Sequence, residues 1–215
     1  MNKPQRKSNG FRWGGIGVYY MSKDEFIKIY NKYIHRKGAK ELLQWLESTD
    51  FFTAPASTKY HGAYEGGLCE HSLNVFHFYY QEILNRASEF SGIKCLDTDT
   101  EETVAICALL HDVCKVNLYV RNTRNVKNEA TGQWEKVPYY SVGENKFPYG
   151  HGEASVWLIQ RFMRLNVEES LAIRWHMGGF DDAAKGYKLS AAYRQYPNAM
   201  LLHIADMKAT YLLDK

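Results

Sequence analysis

The sequence predicts a mostly α protein with one inserted β-hairpin, and three observations predict it. Apolar residues recur at spacings of three and four over most of the chain. Capping signals and glycine stops divide that pattern into separate helices. Only residues 117–150 break it, with two runs rich in charged, β-branched and aromatic residues on either side of a Gly-containing turn.

The elements follow in order. From Ser22 to about Ser48 the helical positions are Phe26, Ile27, Tyr30, Tyr33 and Ile34, then Leu42, Leu43 and Leu46. Ser22 and Glu25 are spaced as a capping box, and Gly38 divides the stretch into two helices. FFTAPASTKYHGAYEGG reads as an ordered loop. A helix from about Leu68 to Phe90 sets His71 beside an apolar stripe. The next covers about Asp99 to Val116, with Thr98 and Glu101 spaced as a capping box. NLYVRNTRNVKN, the turn EATGQ and WEKVPYYSV then form the hairpin. Helices resume from about Gly152 to Leu165 and from Val167 to His176, where Gly178 and Gly179 stop the second. The last begins near Pro197, a good first-turn residue. Residues 1–21 are expected to form a basic N-terminal arm, with Met21 an alternative start, and 22–215 a single helical domain.

Composition excludes some classes of function. A chain of 215 residues, 45% hydrophobic and 24% charged, can bury a core and matches a soluble globular protein. A net charge of +3 is too small to argue for duplex nucleic acid, but it allows a local basic patch for a phosphorylated small molecule. No apolar run approaches the roughly 20 residues that span a bilayer, and the first segment lacks a signal-peptide core. Cys69, Cys95, Cys107 and Cys114 form no C-x-x-C pair and read as reduced thiols in a cytoplasmic protein.

The chemistry begins on the helix that ends near Val116. Val104, Cys107, Ala108 and His111 fall at i, i+3, i+4 and i+7, so His111 points inward with Asp112 beside it. A buried aspartate is costly unless it is paired, hydrogen-bonded or bound to a metal. On its own, His111-Asp112 reads first as a buried hydrogen-bonded pair. Asp206, in the middle of the apolar helix LLHIADMKA, repeats the anomaly, and His71 adds a third inward group. Three helices thus each direct a metal-capable side chain inward. Imidazole plus carboxylate suits Mn, Fe, Ni, Co, Zn or Mg, and carboxylates from separate helices are an established way to build such a site.

The order His71, His111-Asp112, Asp206 resembles the HD-domain metal-dependent phosphohydrolases, and STKYHGAYEGGLCEHS is similar to the segment through the first ligand of bacterial HD-domain 3′–5′ exoribonucleases. LLHDVCK is similar to the family's HD helix, including a lysine at Lys115. The resemblance covers roughly residues 40–215 and implies an HD-type helical bundle. It also implies His71, His111, Asp112 and Asp206 as metal ligands, with Asp112 and Lys115 as catalytic residues. In family members with more than one metal, histidines between the HD pair and the last aspartate hold a second ion. His151 and His176 match them, with Asp112 bridging two divalent cations. The alternatives are a solvated His151 and a His176 favoured by its helix C-terminus. Hydroxide generated by the ions would attack phosphorus while Lys115 neutralises developing charge.

Substrate contacts are expected from Lys59 and His61 in the loop and from Arg121 and Arg124 on the hairpin. There, with Lys127, Tyr139 and Tyr140, cations and aromatics together suit a nucleotide or a short single strand; the alternative is a solvated, charged hairpin. His203, one turn from Asp206, reads first as a satisfied core histidine, with support of a ligand as the alternative, and Cys69 and Cys114 read as packing. Three functions remain open: a phosphohydrolase acting on a nucleotide or similar small ester, a 3′–5′ exonuclease on RNA or single-stranded DNA, and an inactive metal- or nucleotide-binding sensor. Oligomeric state is not legible.

Overall fold

The structure, a computed structural model, describes residues 16–144 and 147–214, with side chains from residue 22 onward. Eight α-helices and one two-stranded sheet make up these residues. The helices are α1 (Ile16–Tyr33), α2 (Ala39–Glu47), α3 (Gly67–Ser91), α4 (Thr98–Leu110), α5 (His151–Gln160), α6 (Val167–Arg174), α7 (Lys188–Gln195) and α8 (Pro197–Lys208). Strands β1 (Tyr119–Lys127) and β2 (Trp134–Val142) lie between α4 and α5. The mostly α class with one hairpin is therefore observed.

Several boundaries differ from the sequence reading for local reasons. Most of the expected N-terminal arm lies outside the described residues, and helix α1 already runs from Ile16, so Ser22 sits inside it and caps nothing. Helix α4 is capped by Asp97, whose side chain accepts from the Thr100 amide at 2.7 Å, rather than by a Thr98–Glu101 box. It ends at Leu110, six residues earlier than expected. His111 and Asp112 turn the chain, and a single 3-10 turn, Val113–Lys115, follows. Helix α5 stops at Gln160. Helix α7 has no counterpart in the sequence reading, which assigned no helix between Gly179 and Pro197.

Gly38 separates α1 from α2 as expected, and the structure supplies the reason. It has φ +92°, and a Cβ there would fall 1.8 Å from the carbonyl oxygen of Phe162. The chain can cross the α5–α6 connection at that point only without a side chain.

Helix α3 is the central element, packing on α4 and α8, while α6 packs on α5 and α8. Phe26, Leu46, Phe51, Leu68, Ile106 and Leu202 are fully buried among them. One charged cluster is built into this core. Glu169 is fully buried, caps α6 reciprocally with Asn166, and takes both Arg36 guanidinium nitrogens at 2.8 Å. Glu102 accepts from the same guanidinium at 3.1 and 3.3 Å.

The hairpin is a contrasting region. Its register runs from Tyr119↔Val142 to Lys127↔Trp134, and most of its side chains are exposed. Its base is held by Tyr119, whose hydroxyl donates to the Ala56 carbonyl at 3.4 Å. Among the described residues no helix is long and apolar enough to cross a membrane, and all four cysteines are free thiols.

Candidate metal centre

Four helices and one turn converge on Asp112. His71 comes from the first turns of α3, His111 and Asp112 from the turn that ends α4, and His151 from the first residue of α5. His176 follows the end of α6, and Asp206 lies in α8. The early end of α4 matters here. Asp112 has left the helix (φ −109°, ψ 17°), and the 3-10 turn brings Lys115 back to it at 2.6 Å.

The two carboxylate oxygens of Asp112 face different partners. Oδ1 lies 2.7 Å from His151 Nε2 and 3.4 Å from His176 Nε2. Oδ2 lies 2.6 Å from Lys115 Nζ, 3.4 Å from His111 Nε2 and 3.7 Å from His71 Nε2. Asp206 Oδ1 is 3.2 Å from His71 Nε2, and the Nε2 atoms of His71 and His111 are 3.2 Å apart.

Three of the histidines are held by the nitrogen turned away from the centre. His71 Nδ1 donates to Asp214 at 2.6 Å, His111 Nδ1 to the Ala108 carbonyl at 2.8 Å, and His176 Nδ1 to the Ile173 carbonyl at 2.7 Å. An acceptor on Nδ1 fixes the proton there and turns the Nε2 lone pair inward. That is the arrangement by which metal-ligating histidines are oriented. His176 Nε2 is fully buried and has no hydrogen-bond partner, which is costly for a polar atom in a low-dielectric interior.

The charges of the cluster are also unequal. Asp112, Asp206 and Asp214 are buried or nearly so around one buried ammonium, Lys115. The excess is two negative charges, the charge of one divalent cation. Without an ion, protons fill that role. Burial opposes protonation of His71, but hydrogen bonds and charge from Asp206 and Asp214 raise its pKa to about 9. At His151 burial is outweighed by Cys114 and Asp112, which raise the pKa to about 10. Burial works against the ionised Asp112, yet Lys115, His111 and His151 hold its pKa well below the usual carboxylate range. Three ligand groups can be drawn within this cluster: His71, His111 and Asp206; His111, Asp112 and His176; and Asp112, Cys114 and His151. The imidazole and carboxylate donors among them fit hard-to-borderline divalent ions.

The sequence-predicted site residues thus divide. His71, His111, Asp112, Lys115, His151, His176 and Asp206 are brought together. His61 joins them at the edge, half-buried, its ring centroid 5.0 Å from that of His71. Burial, then the charges of His71 and Lys115, lower its pKa to about 4, so it is neutral at pH 7. The loop carrying it lies tight on α3, because a Cβ at Gly67 would meet the Gly62 carbonyl oxygen at 2.0 Å. Lys59 stays on the exposed side of that loop, 5.0 Å over the Tyr60 ring.

The expected group of three hairpin cations is not formed. Side chains alternate along a strand, so Arg121 and Lys127 share one face and Arg124 takes the other. Arg121, paired in register with Tyr140, lies 3.9 Å from Glu65, whereas Arg124 stands 5.7 Å over the Tyr139 ring.

Three residues were missed or under-read. Asp214, fixed by Asn74 Nδ2 at 2.7 Å, anchors His71, but in the sequence it is one acidic residue following the apolar Tyr211-Leu212-Leu213, with nothing to mark it. Cys114, read as packing, has its Sγ 3.4 Å from His151 Nδ1. Its spacing to His151 is 37 residues, so no local pattern marks the pair. His203 donates to the His176 carbonyl at 2.7 Å and so supports the backbone of that ligand candidate. A cavity of about 340 Å³, lined among others by Trp45, Phe147, Tyr149, Cys114 and His151, opens beside the cluster.

Comparison of the chain with protein-family models, with curated proteins and with solved structures returns no match.

Proposed function

We propose that this chain is an HD-type metal-dependent phosphohydrolase that cleaves a phosphate ester of a nucleotide or similar small molecule. The observation that carries the reading is Asp112, whose two oxygens serve two separate sets of inward-facing nitrogens. A bridging carboxylate needs that geometry, and an ordinary buried ion pair does not.

In this reading His71, His111, Asp112 and Asp206 hold one divalent ion, and Asp112, His151 and His176 a second. The ions supply Lewis acidity toward the phosphoryl oxygens and an acidified water. The protein's own groups do the positioning. Asp214 and the Ala108 and Ile173 carbonyls fix three imidazole rings before any ligand arrives. Lys115, held against Asp112, keeps a positive charge within the cluster where phosphoryl charge develops. Neutral His61, at the edge beside His71, offers a hydrogen bond without adding charge. The 340 Å³ cavity accommodates the organic part of the ester.

The small-ester reading stands ahead of the exonuclease one because Arg121 and Arg124 lie on opposite faces of β1 and offer a strand no continuous basic track. The test is purified protein loaded with Mn, Co, Ni, Zn or Mg and assayed on p-nitrophenyl phosphate, its bis ester, nucleotides and a labelled oligonucleotide. Turnover of a monoester or nucleotide is expected. Bound metal with no turnover of any substrate would overturn the proposal in favour of the sensor reading, and preference for the oligonucleotide would favour the exonuclease.

A further inference from the structure

We propose that Cys114 is a thiolate ligand to the ion held by Asp112 and His151, so that this half of the cluster selects a thiophilic cation such as Zn²⁺. The half formed by His71, His111 and Asp206, with nitrogen and oxygen donors only, takes a harder ion. The inference rests on the reading of the cluster as a divalent-metal centre.

Three observations support it. Cys114 Sγ lies 3.4 Å from Nδ1 and 3.7 Å from Nε2 of His151. Zinc–ligand bonds of roughly 2.0–2.3 Å set the ligand atoms of a tetrahedral site about 3.3–3.8 Å apart, so Sγ and His151 Nε2, the nitrogen that also faces Asp112, already sit at the separation an ion would impose. Asp112, Cys114 and His151 each place a ligand atom within 4.8 Å of the others, and the Asp112 oxygen on this side also faces the partnerless Nε2 of buried His176. Finally, Cys114 and His151 both line the 340 Å³ cavity, which gives an ion at this position access from solvent and an open side toward a ligand. The other half has no sulfur donor. Thiolate prefers Zn, Cu(I) and Fe over Mg or Mn, so one carboxylate would join two positions of different metal preference. Ion binding here displaces the thiol proton to solvent.

The experiment is a Co²⁺ titration of the metal-free full chain. A thiolate-to-cobalt charge-transfer band is expected in the near ultraviolet. Cys114→Ser should lose the band together with about one bound ion, and His71→Ala should keep the band while losing the other ion. Because a variant can fail to fold, alkylation of the unmodified protein by iodoacetamide gives an independent measure by mass spectrometry. Zn²⁺ should protect Cys114 and leave exposed Cys95 reactive. Absence of the band from the cobalt-saturated protein, or equal alkylation of Cys114 with and without Zn²⁺, would overturn the inference. Turnover without the band leaves the phosphohydrolase reading in place and removes this one; the band without turnover does the reverse.

Discussion

The Asp112 cluster and the β1–β2 hairpin are both rich in polar and charged groups, yet they use them in opposite ways. In the cluster three histidines are fixed from behind, His71 by Asp214 and His111 and His176 by carbonyls, and Asp112 is paired with Lys115. On the hairpin Arg121 and Arg124 extend into solvent, and alternation along the strand separates them. Electrostatics is strong where helices exclude water and weak where a two-stranded ribbon does not. A chemical centre is expected in the first region and, at most, substrate contact in the second.

The most severe way to break this contrast is Asp112→Ala. It should remove ester hydrolysis by about a thousandfold or more, checked by steady-state assay, and should lower metal content measured by elemental analysis. Retained activity would remove Asp112 from the chemistry.

Glu169→Ala probes whether rigidity depends on buried charge in general. It removes the α6 cap and one of the two carboxylates on the Arg36 guanidinium, leaving Glu102 in place, and should cost about 1–3 kcal/mol in denaturant unfolding, whereas Glu169→Gln, which keeps the shape, should cost less. The metal content per folded chain should stay unchanged.

Asp214→Asn sharpens the contrast further. It weakens the anchor of His71 without touching an inward-facing atom, and should reduce metal affinity about ten- to a hundredfold by calorimetric titration.

Proton linkage follows from the raised values of His71 and His151, about 9 and about 10. At pH 7 both carry a proton that an ion must displace, so metal affinity should climb as pH rises toward those values. The sign for the metal-free fold is the reverse. Stability contributed by the two raised histidines is fully present below their ordinary value near 6.5 and is lost as pH rises through 9 and then 10. Calorimetry in buffers of different ionisation enthalpy measures the protons released.

The smallest effect belongs to the hairpin. Arg124→Ala should change stability by less than about 0.5 kcal/mol and leave kcat unaltered; a large loss of kcat would bring the hairpin into the catalytic centre.

The sequence marked the cluster where chemistry interrupts an apolar helix face. His71, His111, Asp112 and Asp206 were visible for that reason, and Gly38 and Pro197 marked helix boundaries. Three things were not visible. The end of α4 at Leu110 depends on what surrounds Asp112, because the apolar spacing itself continues through Val113 and Val116. Asp214 and Cys114 meet their histidines across 143 and 37 residues, and no periodicity reports a contact of that range. The hairpin cations were read as neighbours because they are close in sequence, whereas a strand sends Arg121 and Arg124 to opposite sides.

The chain between Lys208 and Asp214 is a π-helical turn, Ala209–Leu213, wider than the helix it extends. Through it the last turn of the bundle carries Asp214 back onto His71, and the Asp214 carbonyl accepts from the Gly62 amide at 3.2 Å. Assembly order is then constrained. The first ligand helix cannot present its imidazole in final form until the segment after α8 has docked, a closure over more than half the chain that is slow to find and entropically expensive. If the cluster holds an ion as proposed, it should become able to do so only after the helices around it have packed, so that ion uptake follows folding instead of guiding it.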